Sequence, residues 1–190
     1  ARPFHVEALP EEAAREAVRL ARRLALPLEG YTADGGFFVE GDSPLLEAHQ
    51  RLLGVEAEGA DLLRLSSPLV RLQVLAEGEA PVERLLEALP RGLQAHVAES
   101  PKMPGVRFVS LTKEGVSKLS AARLVAEAYG LPLSECAMVG DGENDLELLR
   151  AVGVGIAMGN APPSVKRAAQ RVVAPVEACG LAEALRLLRG

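Results

Sequence analysis

Aromatic residues are scarce in this 190-residue chain: there is no tryptophan, and two tyrosines and four phenylalanines make up only 3% of it, against 48% hydrophobic residues overall. Any core must therefore be built from Leu, Val, Ala and Ile, and the apolar content suffices for one substantial core or two modest domains. The two cysteines, Cys136 and Cys179, are too few for a disulfide framework and stand at no metal-ligand spacing, so inert thiols are expected. No apolar run reaches the roughly 18–20 residues that span a bilayer. The N-terminus also lacks the charged-then-apolar pattern of a secretory signal. A cytoplasmic protein with no membrane partner is expected. A formal charge of -5, with both signs interspersed, leaves no basic stripe and argues against nucleic acid as a partner. Small anionic substrates stay open, because a local positive site can exist on an acidic surface.

What is present divides into two patterns. Residues 11 to 26 place apolar side chains at helical spacing, with Pro10 at the entry and Pro27 at the exit. Short strand-like runs at 28–32 and 37–40 flank the turn signal Asp34-Gly35-Gly36, which predicts a hairpin. Helices are expected over 44–53 and 81–89, a half-buried strand over 69–75, and further strands near 93–98 and 106–111. After Thr112 the pattern changes to helices alternating with short, continuously apolar runs at 137–139, 154–158 and 172–174. That alternation predicts a parallel sheet covered on both faces. The fold class expected is α/β, with an α+β module over 1–111 and a doubly wound half-domain over 112–190. Three strands are few for such a domain, so a missing segment or a second copy of the chain is expected to supply the rest.

Polar scarcity makes the second half readable. Asn144 and Asn160 are the only asparagines, and two of the five aspartates, Asp141 and Asp145, flank Asn144. The run 137–141 places Asp141 at the carboxyl end of a buried strand, where open α/β sheets bind ligands. Gly140 and Gly142 are read as allowing a sharp turn and a close approach of the backbone to a ligand. Asn144 and Asp145 are expected in the first helical turn that follows, whose free N–H groups favour anions. A strand-end carboxylate suits a hard cation such as Mg²⁺, which takes few protein oxygens and keeps its waters. Lys118 is expected at the start of another helix, where its charge opposes the helix dipole; a bound phosphate would offset that.

Gly115-Val116-Ser117-Lys118, Gly140-Asp141-Gly142-Glu143-Asn144-Asp145, Ala157-Met158-Gly159-Asn160-Ala161 and Val165-Lys166, in this order and spacing, closely resemble the Cof-type phosphatases of the haloacid dehalogenase (HAD) family. The resemblance covers 112–190; residues 1–111 resemble, less specifically, that family's α+β cap domain. It implies a HAD-like Rossmannoid core and a Mg²⁺-dependent phosphatase of small phosphorylated metabolites working through an aspartyl-phosphate. It also implies Asp141 as a metal ligand, and Lys118 as the residue stabilising the phosphoryl group. Asn144 would contact the phosphate, Asp145 would orient Lys118 or the metal shell, and Asn160 would be a second-rank phosphate-site residue.

The family's nucleophile lies in an Asp-x-Asp-Gly-Thr motif ahead of the cap, and no Asp-x-Asp occurs in this sequence. Thr32-Ala33-Asp34-Gly35 is the nearest approximation and is expected to be a hairpin turn. The chain reads as cap plus C-terminal half-core, inactive or nearly so by itself. A non-catalytic domain binding a phosphorylated ligand or a partner chain through the remaining half-site is the alternative. His5, His49 and His96 make no metal spacing and are expected in structural or surface roles. Tyr31, Phe37 and Phe38 are candidates for either substrate contact or packing.

Overall fold

In the computed structural model, which describes residues 4–189, Glu11–Arg23 forms the first helix, α1. Its buried face of Ala13, Ala14, Ala17, Val18, Leu20 and Ala21 recurs at helical spacing, while two glutamates in the first turn and two arginines in the last complement the helix dipole. The helix ends three residues earlier than its periodicity predicts. Pro27 disfavours helical geometry at Leu26, so the chain leaves through a Schellman motif. The Leu26 N–H bonds the Ala21 carbonyl at 2.9 Å, the Ala25 N–H bonds that of Arg22 at 3.1 Å, and Ala25 adopts φ +52°.

The chain splits into two compact units, Ala1–Gly115 and Val116–Gly190. In the first, β1 (Leu28–Thr32) and β2 (Phe37–Glu40) form the expected hairpin, followed by α2 (Pro44–Leu53), β3 (Glu58–Gly59), β4 (Leu69–Glu77), α3 (Ala80–Glu87), β5 (Leu93–Ser100) and β6 (Met103–Lys113). They make one sheet in the order β3-β2-β1-β4-β6-β5, antiparallel except for the short β2–β3 pairing. Thr32-Ala33-Asp34-Gly35 is the hairpin turn: Thr32 Oγ1 donates to Asp34 Oδ1 at 2.6 Å and accepts from the Gly36 N–H at 2.9 Å, with Gly35 at φ +92°.

β4 is not half-buried as its alternation suggests. Leu72 to Ala76 are all buried, because the sheet is covered on both sides there. α1 and α3 pack with Leu72, Val74, Val109 and Leu111 on one face, and Leu46 of α2 packs with Leu75, Val106 and Phe108 on the other.

The second unit runs α4 (Lys118–Ala128), β7 (Ala137–Gly140), α5 (Leu146–Ala151), β8 (Val154–Ala157), α6 (Pro163–Ala168), β9 (Arg171–Val172) and α7 (Gly180–Leu188). Its three strands pair in parallel in the order β7-β8-β9. Leu149, Ala157 and Val165 form the core on the side of α5 and α6, and Ile156, Val173 and Ala184 form it on the side of α7. The central strand β8 is covered on both faces, as a continuously apolar strand requires. In contrast, β7, the run expected to be buried ahead of Asp141, is exposed to half-buried until Gly140, and β9 is exposed, because both lie at the edges of this three-stranded sheet. Among the described residues β7 pairs on one side only, and no helix is long and apolar enough to cross a membrane.

Candidate functional site

The carboxyl end of β7 organises the site. Asp141 follows the last residue of that strand and is exposed to solvent. The chain then makes a 3₁₀ turn, Glu143–Asp145, before α5 begins at Leu146. Asn144 and Asp145 thus lie in this turn and not in the first turn of an α-helix. The difference matters because Asp145 folds back: its Oδ2 accepts the N–H groups of Asp141 and Gly142, each at 3.0 Å. Those two donors are committed to a protein carboxylate.

Gly140 serves a different purpose from the one read in the sequence. Neither Gly140 nor Gly142 has a positive φ. A Cβ on Gly140 would lie 2.7 to 2.9 Å from the Cβ, Oδ2 and Cγ of Asp145, so the glycine makes room for that side chain.

Lys118 enters from α4. A capping box starts this helix: the Ser120 N–H donates to Ser117 Oγ at 3.1 Å, and the Ser117 N–H donates to Ser120 Oγ at 2.8 Å. Lys118 stands at the first helical position. Its Nζ donates to Asp145 Oδ1 at 2.5 Å, joining a lysine that is 48% exposed to a carboxylate that is 2% exposed. The dipole penalty that pointed to a phosphate in the sequence is therefore already countered by Asp145. An ammonium has three donors, and the bond to Asp145 engages one of them on a group that is half exposed. Burial pushes the Asp145 carboxyl up, but the bonds from Lys118, Gly142 and Asp141 outweigh it and hold it below its ordinary 3.8.

Asn160 sits in the turn after β8. Its Nδ2 donates toward Asp141 Oδ2 at 3.5 Å, a long contact, and its Oδ1 accepts the Val176 N–H at 3.1 Å. The amide thereby ties Asp141 to the loop ahead of α7. Asn144 is exposed in the turn, its Oδ1 beside Gly142. Ser164 donates to Glu143 at 2.8 Å across the same end of the sheet. Sequence reading missed both this bond and the Ser117/Ser120 cap, although a Ser-x-x-Ser spacing before a helix signals the latter.

The residues expected to act together are thus close, with one carboxylate buried and one exposed. Among the described residues no group of three or more His, Cys, Asp or Glu side chains could enclose a metal ion. Among the described residues Asp141 forms no ion pair, and Glu143 accepts a hydrogen bond from Ser164. A single open carboxylate is compatible with Mg²⁺, an ion commonly held by one or two carboxylates plus waters and phosphate oxygens. It does not fit an all-protein metal cage.

The second unit thus sets a lysine–aspartate pair and an exposed aspartate at the carboxyl end of a parallel strand, the place where open α/β sheets bind ligands. The profile of the haloacid dehalogenase-like hydrolases matches residues 3–185, and the chain belongs to that family. It is 31% identical over 137 residues to the HMP-PP phosphatase of Cronobacter sakazakii, covering 70% of this chain and 48% of that protein. To the phosphoglycolate phosphatase of Methanothermobacter thermautotrophicus it is 34% identical over 82 residues, covering 43% of this chain and 37% of that one. The chain spans less than half the length of these relatives. Among solved structures, a phosphatase of the haloalkanoate (HAD) enzyme superfamily from Bacteroides thetaiotaomicron superposes with a TM-score of 0.79 at 27% identity, over 96% of this chain and 66% of that one. A Thermotoga maritima protein at 22% identity, TM-score 0.74, over 95% of this chain and 67% of that one, shares the fold.

Proposed function

We propose that residues 116–190 carry the metal- and phosphate-binding side of a Mg²⁺-dependent phosphomonoesterase site for a small phosphorylated metabolite, and that residues 1–115 are the cap that selects it. The observation that carries the reading is the Lys118–Asp145 pair at 2.5 Å beside the exposed Asp141, which has no ion pair among the described residues. Lys118 would hold phosphoryl oxygens with the donors that Asp145 leaves free, and Asp145 would fix the direction of the ammonium. Asn144, exposed on the turn, would contact the phosphate. Asn160 is better suited to hold Asp141 in place than to bind phosphate, since both ends of its amide are engaged there. Asp141 would contribute the protein oxygen to a Mg²⁺ ion, which when bound supplies charge neutralisation at the transferring phosphoryl group. The relatives named above, phosphatases of HMP-PP and phosphoglycolate, support small phosphorylated substrates.

A carboxylate nucleophile would have to come from outside these 190 residues, since no Asp-x-Asp occurs in them. The unpaired side of β7 is where a further strand would bring it. Calorimetric titration of the chain with inorganic phosphate tests the site. Phosphate should bind, bind more tightly with Mg²⁺ present, lose that Mg²⁺ effect in Asp141→Ala, and bind at least about tenfold more weakly (about 1.4 kcal/mol) in Lys118→Ala. Absence of phosphate binding under both conditions sinks the reading. Hydrolysis of p-nitrophenyl phosphate by these 190 residues should be undetectable; turnover abolished by Asp141→Ala would disprove the need for an outside nucleophile.

A further inference from the structure

The sheet of the first unit has a face that α2 covers only in part. Leu46 and His49 of α2 lie over the end formed by Leu75 and Phe108. Residues paired directly across antiparallel strands share a face. The registers Phe37↔Tyr31 and Tyr31↔Arg71 therefore set a row across β2, β1 and β4 on this side, away from the covered end. Phe38 points the opposite way, into the core with α1.

The row is a tight stack. The rings of Tyr31 and Phe37 lie 4.9 Å apart at 10°, and the Arg71 guanidinium carbon sits 3.9 Å from the Tyr31 centroid. Tyr31 is anchored from beneath. Its hydroxyl donates to Glu29 Oε2 at 2.8 Å, Gln73 Nε2 donates to the same oxygen at 2.9 Å, and His49 Nδ1 lies 2.6 Å from Oε1. Glu29 is wholly buried and both its oxygens are committed. Arg71 forms no ion pair among the described residues; its charge acts on the neighbouring Tyr31 hydroxyl, and its Nε is buried without a hydrogen-bond partner. A solvated sheet face accounts for polar side chains in general. It does not account for a guanidinium held flat on an aromatic stack with no acidic partner among the described residues, an arrangement that leaves its charge for an outside oxyanion.

We infer that the Phe37–Tyr31–Arg71 row is an anion-recognition site, at which Arg71 receives a carboxylate or phosphate oxyanion of a small metabolite and the aromatic pair supports its apolar body. Arginine suits this role because its planar fork matches an oxyanion and stacks on a ring at the same time. Glu29, His49 and Gln73 are positioning residues that fix Tyr31. The inference stands independently of the phosphatase reading of the Lys118 site.

The test is a backbone amide NMR titration of the whole chain, without Mg²⁺, using acetate and inorganic phosphate separately. At least one of the two should give saturating shifts at Tyr31, Arg71 and Gln73, and that one identifies the oxyanion class. These shifts should need at least tenfold more ligand in Arg71→Gln, a smaller increase in Arg71→Lys, and no more than wild type in Lys118→Ala. The Arg71→Lys variant keeps the test usable should Arg71→Gln fail to fold. Saturation unchanged in Arg71→Gln or Arg71→Lys, or no saturable shift at these residues with either anion, overturns the inference. Shifts at Lys118 and Asp145 in the same spectra report separately on the other site.

Discussion

Each unit buries one carboxylate almost completely, Glu29 at 0% exposure and Asp145 at 2%, and the surroundings of the two differ. Glu29 is enclosed by His49, Tyr31 and Gln73, which hold both of its oxygens inside the sheet face. Asp145 is likewise fully bonded, but its partners lead outward: the exposed ammonium of Lys118 and the N–H groups of Asp141 and Gly142 at the strand end. A network whose members are themselves mostly buried acts on the fold first, and reaches the surface only through the Tyr31 ring on which Arg71 stacks. A network whose buried member fixes exposed, chargeable groups is the arrangement a binding site needs, because the geometry is set before the ligand arrives.

The largest effect should come from breaking the closed network. Glu29→Ala strands the His49 ring and the Tyr31 and Gln73 donors in a low-dielectric interior, and leaving buried groups unsatisfied costs about 1–3 kcal/mol each. We expect a loss of at least about 3 kcal/mol in the first unit, read as a lower urea midpoint with circular dichroism. The second unit should be untouched, so amide exchange protection at Leu149 and Ile156 should persist where that at Val74 and Val109 falls. A loss below about 1 kcal/mol would mean the network is not structural, and the contrast would fail.

Gly140→Ala is the next in size. It places a methyl group within 3 Å of the Asp145 side chain, and overpacking of this kind costs about 1–3 kcal/mol. Because Asp145 must move, its hold on Lys118 should loosen, and phosphate affinity should fall although no phosphate-contacting residue has changed. Calorimetry with inorganic phosphate on this variant separates a site built on Asp145 from one that merely adjoins it.

Much of this organisation was legible in the sequence, and the exceptions share a cause. The helices at 11–23, 44–53 and 80–87 and the hairpin at 28–40 follow from periodicity and turn residues that act locally. The strand-end position of Asp141 follows from the apolar run before it, and the rarity of Asp and Asn made the cluster stand out. The Glu29–His49–Gln73 network was not legible, because its members are 20 and 44 residues apart and carry no local signature. The early end of α1 was hidden because alanine gives no sign of the left-handed conformation found at Ala25. Gly140 was visible, but its purpose was misread, since only the folded turn shows Asp145 occupying the space beside it.

Acid should expose the Asp145 network with a smaller effect. Its folded pKa is depressed below the ordinary 3.8 by Lys118 and two backbone N–H groups despite burial. A depressed carboxyl stabilises the fold fully above its unfolded value of about 3.9 and loses that contribution as pH falls through the lower folded value. The urea midpoint of the second unit should therefore not change on account of Asp145 between pH 7 and 5, and should decline below about pH 4. Asp145→Asn should remove that part of the decline, while starting from a less stable protein at pH 7.

The smallest expected change in stability is also the sharpest test of the comparison. Asp141 is exposed and, among the described residues, forms no ion pair; its side chain has the 3.5 Å contact from Asn160. Asp141→Ala should move the unfolding free energy by no more than about 0.5 kcal/mol, as surface changes usually do. The Asp141 N–H that bonds Asp145 is a backbone group and survives the substitution. If Asp141 is held at the strand end for a cation, the same variant should lose Mg²⁺ binding in calorimetry while keeping phosphate binding through Lys118. Asn160→Ala should weaken Mg²⁺ binding without abolishing it, since it frees the carboxylate to rotate but leaves it present. Should Asp141→Ala instead destabilise the unit and leave Mg²⁺ affinity unchanged, the exposed aspartate would be structural like Glu29, and the distinction between the two carboxylate networks would collapse.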